Sequence, residues 1–429
     1  MTQNGRGYEI LDLAYRFHEF RHLNYKLQVL KNSTFDPTSQ DYLTSLAVFA
    51  GIPIVVLIII LVIYLLMTCI SCCCCSNKKR ETIPIQYKVV VFLFGLICGL
   101  SFISGLYGDW KLYDAVKGVR DSTDDAVKWF DEVGDNTKEL TRALDVSATI
   151  VSLENSIDLI ADKTGVEAIR TYKTNCQTIR SNVASSRAQV SAASESIDKA
   201  NVDFIPKALD TYGRIFIIVV LAILLSLAIV GLLYVFSICC SRCLLSCLTV
   251  LAVIALILCS LLVSASLVSA VGVSDFCIDA KPWIRSQMNN ELVNDYLIEC
   301  VGENKVDKDL AKARLQLDKA EQEMSQLSTQ LNTAVQTACK TGGPVDCGTT
   351  PADLDRDLKK LDNQIGIIKQ LMTNFDQLAK CERLNGDLNG ALNSVCTDAV
   401  KGVAFILINT VVAAFCFALL SFVGTCALN

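Results

Sequence analysis

The residues of this chain best suited to covalent chemistry are its 20 cysteines, and they occupy two kinds of neighbourhood. Cys176, Cys277, Cys300, Cys339, Cys347, Cys381 and Cys396 stand singly in polar stretches, as thiols do that pair in an oxidising compartment. Their number is odd, so at least one stays free or pairs between chains. Cys72, Cys73, Cys74 and Cys75 instead run together beside Lys78, Lys79 and Arg80, and Cys239, Cys240 and Cys243 cluster around Arg242. Structural zinc sites separate their thiols by roughly two to four residues, so four adjacent thiols make poor tetrahedral ligands. S-acylation beside a membrane, aided by attraction of the basic residues to anionic lipid, suits the first run better. Its plainer reading is small apolar filler at a membrane boundary.

The 2 histidines, His18 and His22, stand at i and i+4 and could share a metal on one helical face, but no third ligand accompanies them. Surface or interface histidines are the simpler alternative. Both precede the first apolar stretch, so neither long polar segment holds a histidine base beside a nucleophile. The sequence contains no glycine-rich phosphate loop, metalloprotease histidine pair or nucleic-acid module, and an enzyme is not expected. The acidic run Asp121, Asp124, Asp125, Asp131, Glu132 and Asp135 could collect calcium, yet it lacks EF-hand spacing and reads more simply as a solvated helix face.

Membrane helices must position these residues. Intervals free of Lys, Arg, Asp and Glu lie between Asp41 and Lys78, Lys88 and Asp109, Arg214 and Arg242, Arg242 and Asp275, and beyond Lys401. About 20 apolar residues in a helix cross a hydrocarbon core roughly 30 Å thick, where only a helix satisfies its own backbone. Composition agrees, at 52% hydrophobic and 19% charged residues. The fold class is therefore all-α, a polytopic membrane protein with five transmembrane helices. Spans are expected at 46–69, 88–107, 214–238, 244–273 and 401–426, after an N-terminal tail over 1–45. Short connections cover 70–87 and 239–243, long ones 108–213 and 274–400, and a short end 427–429.

The short connections carry Lys78, Lys79, Arg80 and Arg242, which places them in the cytoplasm. The basic tail, with Arg6, Arg16, Arg21, Lys26 and Lys31, argues the other way. The glycosylation sequon Asn32-Ser33-Thr34 and the spaced single cysteines decide for an extracellular N-terminus, two extracellular long connections and a cytoplasmic C-terminus. No cleavable signal peptide is evident, so the first span acts as its own insertion signal.

Both long connections read as helical. Leu310, Ala313, Leu317, Ala320, Met324, Leu327, Leu331, Ala334 and Ala338 alternate steps of three and four, one apolar stripe on a helix. Thr341-Gly342-Gly343-Pro344 breaks it, and Leu354, Leu358, Leu361, Ile365, Ile368, Leu371, Phe375 and Leu378 make a second stripe. Folded back as an antiparallel hairpin, these helices would bring Cys277 to Cys396 and Cys300 to Cys381, with Cys339 and Cys347 stapling the tip; of the pairings six cysteines allow, geometry favours this nested one. In the first connection, Phe130, Val133, Thr137, Leu140, Leu144, Ser147 and Val151 trace one stripe, and Cys176, Ile179, Val183, Ser186, Val190, Ala193, Ile197 and Ala200 another. Asp162-Lys163-Thr164-Gly165 is the expected interruption. The second stripe can run through Pro206 toward the third span. The whole is a helical, disulfide-stapled extracellular domain of about four long helices.

Several motifs, in order, carry a resemblance. His18-Glu19-Phe20-Arg21-His22, Asn32-Ser33-Thr34-Phe35, the run Cys72 to Cys75, Gly105-Leu106-Tyr107-Gly108, Val273-Ser274-Asp275-Phe276-Cys277, Tyr296-Leu297 and Cys300, Cys381 and Cys396 together resemble the Tweety family from about Tyr15 to the end. Prominins share the five-helix plan at a greater distance. The resemblance implies a plasma-membrane protein that dimerises through its extracellular domain, with anion-channel activity linked to calcium or cell volume and an apolar pocket for lipid. It carries calcium positions to Asp109 and Asp114, although Lys111, between them, stands where the family has an acidic residue and would repel a cation. The Arg-Gly-Asp tripeptide of some relatives is absent, and Arg170 is the nearest counterpart of their conductance arginine.

The residues themselves permit a pore without requiring one. No fixed charge lies within the five intervals, so a selective path would use charges at helix ends, such as Lys88, Arg214, Arg242 and Lys401, or the hydroxyl stripe Ser260, Ser264, Ser266 and Ser269. Such hydroxyls also let helices approach and bond one another. Three functions follow: a homodimeric channel for chloride or other small anions, a lipid-binding or lipid-handling membrane protein, and an adhesion or membrane-organising protein. Expected partners are membrane lipid, a second copy and small anions, with no nucleic acid; Ca2+ and bound lipid are the expected cofactors.

Overall fold

The computed structural model describes residues 7–24, 26, 28–30, 34–74, 85–198, 204–236, 242–287, 298, 300, 305–340 and 350–428. In chain order the helices are α1 (Asp12–His18), α2 (Gln40–Cys74), α3 (Ile85–Ala143), α4 (Ser147–Thr164), a 3-10 turn (Glu167–Thr171), α5 (Tyr172–Asp198), α6 (Phe204–Phe236) and α7 (Arg242–Gln287). They continue with α8 (Lys305–Lys340), α9 (Thr350–Leu378), α10 (Cys381–Asn393), a π turn (Ser394–Ala399) and α11 (Val400–Leu428). The fold is all-α, and among the described residues the only β pairing is a single bridge between Leu23 and Val29. Five of the helices, α2, α3, α6, α7 and α11, contain stretches long and apolar enough to cross a membrane.

The chain divides into two compact units. The first comprises Met1–Asp124, Phe204–Gln287 and Asp387–Asn429, and so holds all five apolar stretches. Helix α7 is its hub, packing on α1, α2, α6 and α11. Of its most apolar stretch 56% is buried, against 11% for α2, which exposes Val55, Ile59, Val62 and Leu66 in the manner of a lipid-facing helix. The core between the helices is built from Phe102, Leu224, Tyr234, Leu256, Phe417 and Leu420. Helices α3 and α11 meet main chain to main chain. A Cβ at Gly108 would lie 2.8 Å from the Gly402 carbonyl oxygen, and one at Gly402 only 2.7 Å from that of Gly108, so both positions require glycine.

The second unit comprises Asp125–Asp203 and Met288–Gly386. Helix α8 buries Leu310, Ala313, Leu317, Ala320, Met324, Leu327 and Leu331, the stripe its spacing predicts, chiefly along α5. Helix α9 packs on α4 and α8 and buries Leu354, Leu358, Leu361, Ile365, Ile368 and Phe375. Toward its end Met372 is buried and Leu371 and Leu378 only partly so, a slight rotation from the expected face. The first connection differs more. Its first stripe does not run on through Ser147 and Val151, because α3 stops at Ala143 and α4 begins afresh at Ser147. Asp145 accepts hydrogen bonds from the Ser147 backbone N–H (3.4 Å) and hydroxyl (2.7 Å), a local turn that competes with the helix. Trp129, rather than Phe130, is the fully buried aromatic, and its indole N–H donates to the Leu378 carbonyl at 2.8 Å. The break at Asp162-Lys163-Thr164-Gly165 occurs as expected, with Gly165 in the left-handed region (φ 69°) capping α4. Residues 199–203, between α5 and α6, lie outside the described set.

Glycine supplies a test of this packing. Gly402→Ala is expected to lower the thermal midpoint of the detergent-solubilised protein, at a cost of about 1–3 kcal/mol. Gly366→Ala, within α9 where a new Cβ meets nothing within 4 Å, is expected to raise stability by about 0.5–1 kcal/mol. Thermal scans followed by size exclusion check both.

Candidate functional site

Disulfides close both units. Cys277 bonds Cys396 within the first, and Cys300 bonds Cys381 within the second. Cys339 is also disulfide-bonded, while Cys347 lies outside the described residues. Among the described single cysteines Cys176 is the free thiol, fully buried, with burial pushing its pKa up to about 12. It is therefore expected to resist iodoacetamide at neutral pH and to react only once the protein is unfolded, which intact-mass measurement reads directly.

The first unit contains a polar cluster whose members come from three separate segments. Asp275, on α7, is wholly buried. Its Oδ1 lies 2.8 Å from Nδ1 of His18, at the end of α1. Its Oδ2 accepts the Tyr42 hydroxyl of α2 at 2.9 Å and lies 3.3 Å from Nε2 of His22. His22 is itself buried, stacks on Tyr42 with ring centroids 5.6 Å apart, and meets the Ser45 hydroxyl through Nδ1 at 2.8 Å. A carboxylate withdrawn from water needs this company, since an unpaired buried charge costs several kcal/mol.

The hydroxyl of Ser45 decides how His22 behaves. Its oxygen lies 2.7 Å from the Tyr42 carbonyl and 2.8 Å from His22 Nδ1, and it has one proton to give. Donated to Nδ1, that proton leaves Nε2–H facing Asp275 with a neutral imidazole. Donated to the carbonyl, it requires Nδ1 to carry a proton, and Nε2 then faces the carboxylate favourably only in the imidazolium. Nε2 lies 3.3 Å from Asp275 Oδ2 but off hydrogen-bond alignment. The line Ser45, His22, Asp275 has the residue types of a hydrolase relay, but Ser45 is fully buried on a helix, which suits clasping rather than attack.

Aromatic packing surrounds the clasp. Phe35 inserts among Tyr42, Phe276 and Trp283, with ring centroids 5.7, 5.3 and 5.4 Å away, and its backbone N–H donates to Asp279 at 3.0 Å. That anchors the residue immediately after the sequon; Asn32 itself lies outside the described residues. Among the described residues no group of three or more His, Cys, Asp or Glu is arranged to hold a metal ion.

The other positions singled out from sequence are not gathered here. Asp109 and Asp114, five residues apart on α3, point about 140° apart around the helix. Asp114 and Asp398 both hold the Lys111 ammonium, each at 3.2 Å, so a cation of the chain's own lies between them. Arg170 is half-exposed in the second unit and paired with Glu167 and Asp162. Ser260 and Ser264 are buried, and the Ser264 hydroxyl donates back to the Ser260 carbonyl at 3.0 Å, as Ser266 does to Leu262 at 2.7 Å. Cys72, Cys73 and Cys74 lie in the last turn of α2, and Cys75 lies outside the described residues. In the acidic run, Asp124, Asp125, Asp135 and Glu132 pair with Arg120, Lys128, Lys138 and Arg383.

Asp109 presents a different chemistry, just beyond the charge-free interval of α3. It is buried, its Oδ1 has no hydrogen-bond partner, and burial pushes its pKa from 3.8 up to about 6. The folded protein thus holds a proton that the unfolded chain releases. Stability contributed below pH 3.8 is lost as pH rises toward about 6.

Five apolar helices, an all-α fold and disulfides closing two units define a multi-pass membrane protein. The chain belongs to the Tweety family, which it matches over residues 12–427. No curated protein matches it.

Two substitutions test these carboxylates. Asp275→Ala, which strips the histidines and Tyr42 of their acceptor, is expected to cost about 3–5 kcal/mol and lower the thermal midpoint sharply. Asp109→Asn is expected to act oppositely: above about pH 6 the variant is the more stable protein, and the loss of stability between pH 3.8 and about 6 disappears from its pH series of thermal scans.

Proposed function

We propose that this Tweety-family protein works in the plasma membrane as a homodimer that conducts chloride or another small anion, with its N-terminus and both long connections outside and its C-terminus in the cytoplasm. The match over residues 12–427, nearly the whole chain, carries this reading, because it brings the multi-pass fold together with the motifs from His18 to Cys396. Residues within the bilayer provide no ring of charge, so the anion path is assigned to helix ends and to the contact between copies. Against a calcium link at Asp114 stands the Lys111 ammonium, which lies 3.2 Å from both Asp114 and Asp398, where a bound cation would sit.

A specific observation favours a second reading, lipid binding or handling. The hydroxyls of Ser264 and Ser266, best placed to line a path, are spent on their own helix, while α2 exposes apolar side chains along most of its length. One experiment separates the two. Purified protein is fused into planar bilayers under a chloride gradient, and a parallel sample released from nanodiscs is examined by native mass spectrometry. Chloride current that scales with protein supports the channel. Silence in the bilayer together with retained phospholipid supports lipid handling, and silence with no retained lipid removes both.

A further inference from the structure

The two resolved disulfides sit in unlike surroundings. Cys300 and Cys381 are both half-buried, and Cys300 is in the left-handed backbone region (φ 42°), uncommon for a residue with a Cβ. Cys277 and Cys396 are both fully buried. What covers them is largely the N-terminal segment. Ile10 and Ala14 complete the buried cluster with Cys277, Cys396 and Val400, and Tyr8, Leu11 and Leu13 pack around it. The Tyr8 hydroxyl donates to the Cys277 carbonyl at 2.8 Å, and the Glu9 backbone N–H donates to Asn393 Oδ1 at 3.3 Å. The same segment is fastened a few residues later, where His18 and His22 meet Asp275, which precedes Cys277 by two positions on α7. The fastening point and the covered bond therefore share one turn of one helix.

We propose that residues 7–24 form a strap, clasped at Asp275, that shields the Cys277–Cys396 disulfide from external thiols, so that this bond is reduced only when the strap lifts, whereas Cys300–Cys381 is open to exchange in the intact protein. The chemistry at either bond is ordinary exchange. A thiolate of the reductant attacks one sulfur, the S–S bond breaks and the other cysteine leaves as thiolate. A second reductant thiol then releases the first cysteine, giving two cysteine thiols and one disulfide of the reductant. Access separates the two bonds: attack on a fully buried sulfur waits for local opening, and its rate follows the open population. His18 is the natural point of release, because its side chain is 25% exposed while its partner Asp275 is 0% exposed.

The test uses the full chain in nanodiscs with limiting dithiothreitol. New thiols are trapped by iodoacetamide over time and quantified on the peptides bearing Cys277, Cys396, Cys300 and Cys381. Cys300–Cys381 is expected to open first, with Cys277–Cys396 persisting until denaturant is added. Tyr8→Phe and His18→Gln, each removing one strap contact, are expected to speed reduction of Cys277–Cys396 on the order of tenfold and leave the Cys300–Cys381 rate unchanged. Equal rates for the two bonds in the unaltered protein overturn the proposal without recourse to a variant. So does a Cys277–Cys396 rate that ignores both substitutions, or variants that speed both bonds alike.

Discussion

Hydrocarbon offers no partner for a polar group, and most of this structure follows from that. Each apolar stretch must satisfy its backbone internally and becomes a helix; its fixed charges retreat to the ends; its hydroxyls turn back on their own carbonyls, as Ser264 and Ser266 do. Where polar groups must be buried, they come in company. Asp275 is the clearest case, receiving His18 and Tyr42 within 2.9 Å and His22 at 3.3 Å. Asp109, which lacks such company at Oδ1, answers by holding its proton to a higher pH.

The same economy governs the second unit, where water is available. Its core stripes are made of Leu, Ile, Met and Ala at helical spacing, and its one large indole is placed so that the N–H reaches the Leu378 carbonyl. Many of its charges stay near the surface in pairs, Arg170 with Glu167 and Asp162, Lys369 with Asp318 and Glu321, Arg383 with Glu132, while the buried Asp357 accepts the Ser152 hydroxyl at 2.7 Å. Exposed pairs of this kind contribute little stability, and they also leave Arg170 without the bare positive charge a conducting path would use.

How much of this is legible in the sequence depends on how local the signal is. A charge-free interval of about 20 residues needs no knowledge of its neighbours to be read as a span. The steps of three and four from Leu310 to Leu331 are likewise self-contained, and that helix buries what its spacing says. The break between α3 and α4 is harder, because Leu144 and Val146 keep the apolar pattern going while Asp145 turns the chain through its own side chain. The clasp is harder still. His18, Ser45 and Asp275 are far apart in sequence, and only the i,i+4 histidines and an aspartate just past an apolar interval hint that they meet. Such a site is a property of packing, which periodicity in one segment does not carry.

The contact between Gly108 and Gly402 has one further consequence. Because each glycine faces the carbonyl oxygen of the other directly, neither can be exchanged for a bulkier residue unless the main chain itself gives way. Apolar neighbours on either helix can drift over evolutionary time and repack, but the register of α3 against α11 stays pinned at that point. Shifting it by even one residue would push Asp109 or the lysine at position 401 into a space that admits only a hydrogen atom.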